Sequence, residues 1–346
     1  MVVAANQTTI LHVLRRLANG TPFDAAAFGD ALTVLSGPEA TPAQQAAFLS
    51  LLRARGETVG ELTGAALVLR RTMATIAAPA GAIDIVGTGG DGHGTYNVST
   101  CAAFVAAGCG VTVAKHGNRA VSSRSGASDV LAALGVKLDC APETVSLALQ
   151  TARVGFLWAP LYHPLMKVWA PVRAEIGFRT IFNCLGPICN PAGVKHHLIG
   201  VFDQNWLSPF AETLRNLGAE RALVVHGADG MDELTTTGVT HAADLRNGQI
   251  RALRITPEDA GLPRAQLADL IGGDAAYNAA ALHGVLAGKP GAYRDIVLLN
   301  TAAALMVADR AATLKEGVAL AASAIANGSA LRALDALVEI TSKSAR

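Results

Sequence analysis

The sequence predicts an α/β protein in which a small all-helical N-terminal domain precedes a larger α/β domain with a mostly parallel central sheet. Apolar residues recur at helical spacing over residues 10–78, as expected for amphipathic helices. Beyond Pro79, short apolar runs alternate with glycine-rich loops and helical segments, which is typical of parallel strands joined by crossover helices. We therefore place a helical domain at residues 1–78, completed by helices near 163–185, and the α/β domain at residues 79–346.

The composition argues against several classes of protein. With 51% hydrophobic residues in 346 positions, the chain can bury a large core, and disorder is not expected. Its 28 Lys and Arg against 27 Asp and Glu give no excess of positive charge, so neither a nucleic-acid nor a membrane partner is expected. The five cysteines fall singly, and the apolar runs are shorter than the ~20 residues that span a bilayer. We expect a cytoplasmic protein in a reducing compartment.

Segments of the α/β domain follow one another in the order of strand, loop and helix. Short apolar runs predict strands at 83–86, 111–114, 135–138 and 221–225. Helical periodicity predicts helices at 99–107, 128–134, 163–175, 296–307 and 316–327. Right-handed crossovers between parallel strands place the loops that follow those strands at one edge of the sheet. The loops after residues 86 and 114 are therefore expected to face one site.

The loop after the first predicted strand is rich in glycine. It reads Gly87-Thr88-Gly89-Gly90-Asp91-Gly92, and Gly94 and Thr95 follow closely. Glycine exposes backbone N–H groups because it adopts positive φ and lets a ligand approach. Asn97, Ser99 and Thr100 lie at the start of the next helix, where free N–H groups and hydroxyls favour an anion. The loop predicts a phosphate site; the alternative is a plain turn with Asn97 or Ser99 as a helix cap.

The same glycines match the dinucleotide-binding pattern G-x-G-x-x-G at Gly87, Gly89 and Gly92. That pattern expects an acidic residue about 20 positions later, at the end of the next strand. Here the next predicted strand is followed by Lys115 instead of Asp or Glu. NAD is therefore disfavoured, whereas NADP stays open because Lys115 or Arg119 could meet a 2′-phosphate.

Two further polar elements follow predicted strands. Residues 115–126 hold three cations and three serine hydroxyls, and we interpret them as a second anion-binding segment that faces the glycine loop, the alternative being a solvated basic loop. Asp232-Glu233 lies in the loop after residues 221–225. Adjacent acids are often only surface charges, but beside a phosphate site they suit Mg²⁺, which takes one or two protein carboxylates and completes its shell with phosphate and water oxygens. His93 and His196-His197 lack a third ligand at zinc spacing.

Motifs along the chain carry a family resemblance: Asp84-Ile85-Val86-Gly87-Thr88-Gly89-Gly90-Asp91, Asn97-Val98-Ser99-Thr100, Lys115-His116-Gly117-Asn118-Arg119, Ser122-Ser123, Asp129-Val130-Leu131 and Asp232-Glu233. They resemble the anthranilate phosphoribosyltransferase family, the second enzyme of tryptophan synthesis, over nearly the whole chain. Ile188-Cys189 departs from the Leu-Thr that is common in the family. Pyrimidine nucleoside phosphorylases share the glycine loop and stay an alternative, as does a non-catalytic relative that binds nucleic acid.

The resemblance implies that residues 79–346 bind phosphoribosyl diphosphate and transfer its phosphoribosyl group to anthranilate, in a homodimer. The sugar diphosphate would contact Gly87, Gly90, Asp91, Thr95, Asn97, Val98, Ser99, Thr100, Lys115, His116, Gly117, Asn118, Arg119, Ala120, Val121, Ser122, Ser123 and Ala127. Anthranilate would contact Gly87, Asn118 and Arg173, whose planar guanidinium suits a carboxylate. Two Mg²⁺ ions would be held by Ser99, Asp232 and Glu233. The residues expected to act in catalysis are Lys115, Asn118 and Arg173.

Overall fold

The structure, a computed structural model, describes residues 2–118 and 125–343, with side chains described from residue 10 onward. The α-helices in these ranges are α1 Val2–Ala18, α2 Ala25–Leu35, α3 Pro42–Arg55, α4 Val59–Thr72, α5 Val98–Gly108, α6 Ala127–Ala133, α7 Pro142–Thr151, α8 Ala159–Tyr162, α9 Pro164–Ile176, α10 Phe182–Leu185, α11 Leu207–Asn216, α12 Ala275–Leu286, α13 Ala292–Val307, α14 Leu314–Ala326 and α15 Ser329–Lys343. The strands are β1 Ile83–Gly87, β2 Val113–Gly117, β3 Val154–Trp158, β4 His196–Gly200, β5 Arg221–Gly227, β6 Thr240–Arg246 and β7 Gln249–Ile255.

Helices α1 to α4 pack into a small bundle with an aromatic core. Thr41 and Thr58 cap α3 and α4, because each hydroxyl accepts a hydrogen bond of 3.3 Å from the N–H of the third helical residue, which has no partner within the helix. Phe28 and Phe48 are fully buried, and the Phe48 ring lies 5.9 Å from that of Trp169 in α9. The helix α9 therefore shares a core with the N-terminal helices. A domain boundary at residue 78 stays a prediction.

The larger part of the chain is built on a seven-stranded sheet with the order β3-β2-β1-β4-β5-β6-β7. Strands β1 to β5 pair in parallel, and β6 and β7 pair antiparallel. Successive side chains of a strand point to opposite faces. Leu198 of β4 joins the core that contains α5 and α13, and its neighbour Ile199 joins the core that contains α11 and the helical bundle. The sheet is therefore covered by helices on both faces, and the predicted fold class is confirmed.

The register of the sheet brings the ends of the parallel strands to one edge. Gly87 at the end of β1 pairs with Gly200 at the end of β4, and Gly200 pairs with Val225 of β5. The strand β2 ends at Gly117 beside the end of β3. Because ligands in open α/β sheets bind at the carboxyl ends of the strands, the loops after β1, β2 and β5 are placed to form one site.

The predicted strand at residues 135–138 is wrong. The helix α6 ends at Ala133, and the chain turns at Gly135, whose φ is 92°. The Lys137 N–H then donates to Thr341 Oγ1 of α15 at 3.2 Å instead of to a neighbouring strand. Two parallel strands need a crossover of a dozen or more residues between them. The crossover that follows β2 contains both α6 and α7, and the next strand is β3. The sequence also missed the strands β3, β4, β6 and β7.

No single helix within residues 2–118 and 125–343 is long and apolar enough to cross a bilayer. Helices α14 and α15 meet the length and hydropathy requirements only as a pair, and the two are bent by 62° at the break between them. Ile325 of α14 and Leu337 of α15 are buried in the core that contains α5.

Candidate active site

A cleft of about 430 Å³ opens at the carboxyl edge of the sheet, where the chain leaves β1, β2 and β5. The following residues singled out from the sequence line it: Gly87, Gly90, Asp91, Thr95, Asn97, Val98, Ser99, Thr100, Lys115, His116, Gly117, Asn118, Ala127, Asp232 and Glu233. Gly90, Lys115 and Glu233, which are far apart in sequence, therefore open onto one cavity.

Six other residues predicted from the sequence either lie outside the described part of the chain or are described away from the cleft lining. Arg119, Ala120, Val121, Ser122 and Ser123 lie outside the described residues. Arg173 lies on α9 and is absent from the cleft lining; its Cζ lies 5.4 Å from the centroid of the Phe182 ring. The predicted contact of Arg173 with anthranilate stays a prediction.

The glycine loop packs closely against charged side chains. The Gly89 N–H donates to Asp232 Oδ2 at 2.7 Å. A Cβ at Gly87 would overlap the Asp232 carboxylate, so a side chain does not fit there. Gly90 has a φ of 77°, and a Cβ there would overlap the Arg179 guanidinium. These glycines are therefore required for close approach as well as for the turn.

The N-terminus of α5 faces the cleft. The Ser99 N–H donates to Glu233 Oε1 at 3.1 Å, so a carboxylate lies at the end of the helix that favours negative charge. Asn97 occupies the N-cap position, but its side chain makes no capping hydrogen bond. Its Oδ1 instead accepts from Asn278 Nδ2 at 2.9 Å. The alternative that Asn97 is simply a helix cap is therefore wrong.

Lys115 lies within β2, whereas the sequence placed it in the loop after the strand. The strand runs through to Gly117, and Lys115 is only 3% exposed. Its Nζ donates to Ile85 O at 2.7 Å and to Ser99 Oγ at 3.2 Å. A strand can continue through a lysine when the long apolar stem packs inside and the ammonium group finds acceptors. Lys115 thus delivers a fixed positive charge to the floor of the cleft.

Buried Lys115 and the half-buried acids Asp232 and Glu233 share this floor. Burial lowers the pKa of Lys115, and the neighbouring carboxylates oppose that shift. Burial, together with the charge of Asp91, raises the pKa of Asp232 to about 6. Burial and the charge of Asp232 raise the pKa of Glu233 to about 8. Two adjacent half-buried acids of this kind are stabilised by positive charge between them, and their oxygens are the ligands that Mg²⁺ prefers. Asp232 and Glu233 therefore fit a magnesium site.

His116 is a neutral residue of the cleft wall. Its Nδ1–H donates to Gly186 O at 2.9 Å, and its Nε2 lies 3.1 Å from Nε2 of His163. Because Nδ1 of His116 carries the proton in this arrangement, Nε2 accepts from His163. Burial lowers the pKa of His116 to about 3 and that of His163 to about 4. At neutral pH neither ring adds charge to the cleft.

Replacing His163 with Gln is expected to make the free energy of unfolding less dependent on pH in the acid range. An unfolded histidine has a pKa near 6.5, so below that pH the unfolded chain binds more protons than the folded chain does. The free energy of unfolding is unaffected by His163 above about pH 6.5 and falls as the pH drops toward 4; the loss is about 2 kcal/mol at about pH 5. Gln keeps an N–H donor for His116 but does not titrate.

Chemical denaturation at a series of pH values from about 5 to 7 measures this effect. His283→Gln, which replaces an exposed histidine, is the matched control and is expected to follow the wild type. Equal pH slopes for His163→Gln and the wild type would contradict the neutral, buried state of His163.

Arg179 and Asn183 also line the cleft, although the sequence did not single them out. The Arg179 guanidinium donates to Gly89 O at 2.9 Å and to Gly90 O at 3.1 Å. Asn183 Oδ1 accepts from the Thr180 N–H at 2.9 Å. No local pattern marks either residue, because both reach the cleft only through the packing of α9 and α10 beside the glycine loop.

Two family models match the chain. One, described as the helical bundle domain of a glycosyl transferase family, matches residues 11–73. The other, described as the a/b domain of a glycosyl transferase family, matches residues 79–331. Together they cover most of the described residues.

Several similar proteins and solved structures share one name. Anthranilate phosphoribosyltransferases of Parvibaculum lavamentivorans and Rhodopseudomonas palustris are 57% and 54% identical over 95% of this chain and over 96% and 97% of their own lengths. The crystal structure of the Thermus thermophilus enzyme matches with a TM-score of 0.90 at 42% identity, over 95% of this chain and 99% of that one. The structure of the Saccharomyces cerevisiae enzyme in complex with phosphoribosyl diphosphate and Mg matches with a TM-score of 0.89 at 28% identity, over 97% of this chain and 98% of that one. The chain belongs to the anthranilate phosphoribosyltransferase family.

Proposed function

We propose that this chain transfers the phosphoribosyl group of phosphoribosyl diphosphate to anthranilate and releases N-(5-phosphoribosyl)anthranilate and diphosphate, a step of tryptophan biosynthesis. Relatives at 54% and 57% identity carry this activity in their names. Yeast relatives have been solved with phosphoribosyl diphosphate and Mg and with 4-fluoroanthranilate. The observation that carries the proposal is the convergence of Gly90, Lys115 and Glu233 on one cleft.

The reaction exchanges one bond at the anomeric carbon of ribose. The anthranilate nitrogen attacks that carbon with its lone pair, the bond to the diphosphate oxygen breaks, and the nitrogen then gives up a proton to solvent. Attack opposite the leaving group inverts the configuration, and the sugar passes through an oxocarbenium-like state similar to that of glycoside cleavage. The aromatic amine is neutral and reactive at pH 7, so the chain needs to supply no nucleophile. Orientation of the two substrates provides much of the rate.

Groups of the chain stabilise the negative charge that grows on the leaving diphosphate. Lys115 Nζ lies at the floor of the cleft beside Ser99 Oγ, and the glycine loop and the start of α5 border the same space. Magnesium, when bound, adds positive charge at the diphosphate oxygens. Asp232 and Glu233, with Ser99, are the residues that would hold it, and we propose two ions. Asp232 and Glu233 line the cleft, and their raised pKa values support this assignment.

Gly87, Asn118 and Arg173 are proposed to bind anthranilate. Gly87 and Asn118 border the cleft. Burial lowers the pKa of Arg173, yet an arginine stays charged in proteins and can pair with the carboxylate of the substrate through two parallel hydrogen bonds. The helix α9 that carries Arg173 leads directly to the cleft residue Arg179.

Arg173→Ala is expected to raise the KM for anthranilate far more than the KM for phosphoribosyl diphosphate. Loss of a charge-assisted pair costs about 1.5 to 3 kcal/mol, which corresponds to an increase of roughly 10- to 150-fold. Steady-state kinetics with each substrate varied in turn measures both constants. Lys167→Ala, which removes an exposed cation from the same helix, is expected to leave both constants unchanged. Equal increases in the KM values for both substrates in Arg173→Ala would show that Arg173 does not bind anthranilate specifically.

One assay tests the proposed function directly. The fluorescence of anthranilate is expected to fall when phosphoribosyl diphosphate and Mg²⁺ are added to the protein, and to stay constant when either is left out. Phosphate-dependent release of uracil from uridine, with no loss of anthranilate fluorescence, would instead identify a pyrimidine nucleoside phosphorylase. A shift of single-stranded DNA in a gel at physiological salt, with no turnover, would identify a nucleic-acid-binding relative.

The assembly and location of the chain are also proposals. We propose a homodimer formed through the helical domain of residues 1–78, a cytoplasmic location, and a catalytic domain at residues 79–346. The exposed apolar side chains of Leu11 and Leu67 on the helical bundle support the dimer. Five unpaired cysteines support a reducing compartment. Sedimentation equilibrium measures the assembly; a monomer at micromolar concentration would reject the dimer.

A further inference from the structure

Arg179 joins the glycine loop to the segment that follows the strand β4. It lies between α9 and α10, just after Gly177, where the chain turns with a φ of 67°. Its guanidinium donates from Nη2 to Gly89 O at 2.9 Å and from Nη1 to Gly90 O at 3.1 Å. The same guanidinium stacks on the ring of Phe202, with Cζ 3.8 Å from the ring centroid. One side chain thus contacts two consecutive carbonyls and an aromatic ring.

Because Arg179 holds these two carbonyls, it also fixes the directions of the N–H groups of the residues that follow them. In a trans peptide the C=O of one residue and the N–H of the next point in opposite directions, so a carbonyl held by Arg179 directs the following N–H away from it. The bond to Gly89 O orients the Gly90 N–H, and the bond to Gly90 O orients the Asp91 N–H. Neither amide donates to an acceptor within the described part of the chain.

Phe202, on whose ring Arg179 stacks, is itself hydrogen-bonded to the glycine loop. The Phe202 N–H donates to Thr88 Oγ1 at 3.1 Å, and the Thr88 N–H donates to Gly200 O at 2.9 Å. On the other side of the loop, the Gly89 N–H is held by Asp232. The beginning of the glycine loop is therefore fixed by β4 and Asp232, and its middle is fixed by Arg179. Four glycines from 89 to 94 have positive φ, so without such anchors this backbone is free to adopt many conformations.

We propose that Arg179 is a positioning residue for diphosphate: it holds the glycine loop so that the Gly90 and Asp91 N–H groups are presented as a preformed pair of donors. The inference rests on the proposed function, because it takes the bound anion to be the diphosphate of the sugar substrate. Preformed donors stabilise an anion without paying for reorganisation when it binds. The planar fork of arginine is needed, since it reaches two carbonyls at once, whereas a lysine ammonium is a single point charge.

Arg179→Ala and Arg179→Lys test the proposal. Both are expected to raise the KM for phosphoribosyl diphosphate by about tenfold or more and to leave the KM for anthranilate within about twofold. Calorimetric titration with magnesium diphosphate, without any turnover, is expected to show the same loss of affinity. Arg16→Ala is the matched control, because Arg16 also stacks on an aromatic ring, that of Phe23 at 4.3 Å, and donates to a backbone carbonyl. It is expected to change neither constant.

Three outcomes would overturn the proposal. Wild-type affinity for diphosphate in Arg179→Lys would show that charge alone, and not the fork, is needed. Equal increases of both KM values would indicate general damage to the fold. Unchanged KM values in Arg179→Ala would show that the glycine loop keeps its conformation without Arg179. The wild type in the same assay separates this inference from the proposed function: absence of its turnover rejects the function, whereas normal turnover with unaffected variants rejects only the role of Arg179.

Discussion

A chain carrying Asp232→Asn and Glu233→Gln is expected to lose at least about a thousandfold of its magnesium-dependent turnover while keeping its fold. The two carboxylates are the proposed metal ligands, and neutral amides of the same shape are poor substitutes for Mg²⁺ ligands. The fold is expected to survive because burial raises the pKa of Asp232 to about 6 and that of Glu233 to about 8. The charged forms are therefore costly in the absence of metal, and neutral side chains relieve that cost.

Turnover and thermal unfolding, each with and without Mg²⁺, measure this prediction. In the wild type, bound metal is expected to raise the unfolding midpoint by mass action. In the double variant that rise is expected to be absent, and the midpoint without metal is expected to be no lower than that of the wild type. The matched control is Glu258→Gln with Asp259→Asn, an exposed adjacent acid pair that does not line the cleft. Unchanged turnover in the double variant, or an equal loss in the control, would reject the metal assignment.

The parts of the fold that the sequence predicts are those with a local signal. The strands β1 and β5 are apolar runs bounded by turn residues, and such runs are recognisable without tertiary information. The strand β4 begins with His196 and His197, and these become strand residues only because β1 and β5 flank them in the sheet. The strand β7 is mostly exposed and so lacks an apolar pattern. Pairing with neighbours, which sequence periodicity does not report, decides both cases.

The residues of the site also divide into those with a local sequence signal and those that depend on distant contacts. The glycines of the phosphate loop and the adjacent acids Asp232 and Glu233 are recognisable because backbone freedom and paired charge are local properties. Arg179 is not recognisable, since the two carbonyls that it holds lie 89 and 90 residues earlier in the chain. The sequence predicts a loop at Lys115 because a charged residue at the end of a short apolar run ordinarily marks the end of a strand. Its acceptors, which come from two other elements, are what allow β2 to continue.

Lys115→Met is expected to lower both turnover and stability. Turnover is expected to fall by at least about a hundredfold, because a preformed positive charge beside the leaving diphosphate is lost. The free energy of unfolding is expected to fall by about 1 to 3 kcal/mol, because Ile85 O and Ser99 Oγ lose a buried hydrogen-bond donor. A nearby buried carboxylate also loses a positive charge: Asp84 is fully buried, and burial raises its pKa to about 6 although Lys115 opposes the shift.

The pH dependence of this loss separates the electrostatic role of Lys115 from the role of its two hydrogen bonds. The pKa of Asp84 is higher in the fold than its ordinary value of about 4, so the folded chain binds more protons than the unfolded chain between about pH 4 and 6, and stability falls as the pH rises through that window. Without Lys115 the pKa of Asp84 rises further, and the window extends upward. Denaturation is therefore expected to show a larger destabilisation by Lys115→Met at about pH 7.5 than at about pH 5.

Lys195→Met is the matched control for Lys115→Met. Lys195 immediately precedes the parallel strand β4 and pairs with Glu220 at 2.7 Å, but its side chain is 62% exposed. An exposed pair is screened by water and contributes little to stability, so the control is expected to change stability little at either pH. A pH-independent loss in Lys115→Met would mean that the hydrogen bonds of Nζ to Ile85 O and Ser99 Oγ, and not its charge near Asp84, matter for folding. The charge at the cleft floor would then serve the reaction alone, since the fold would not need it to keep Asp84 buried.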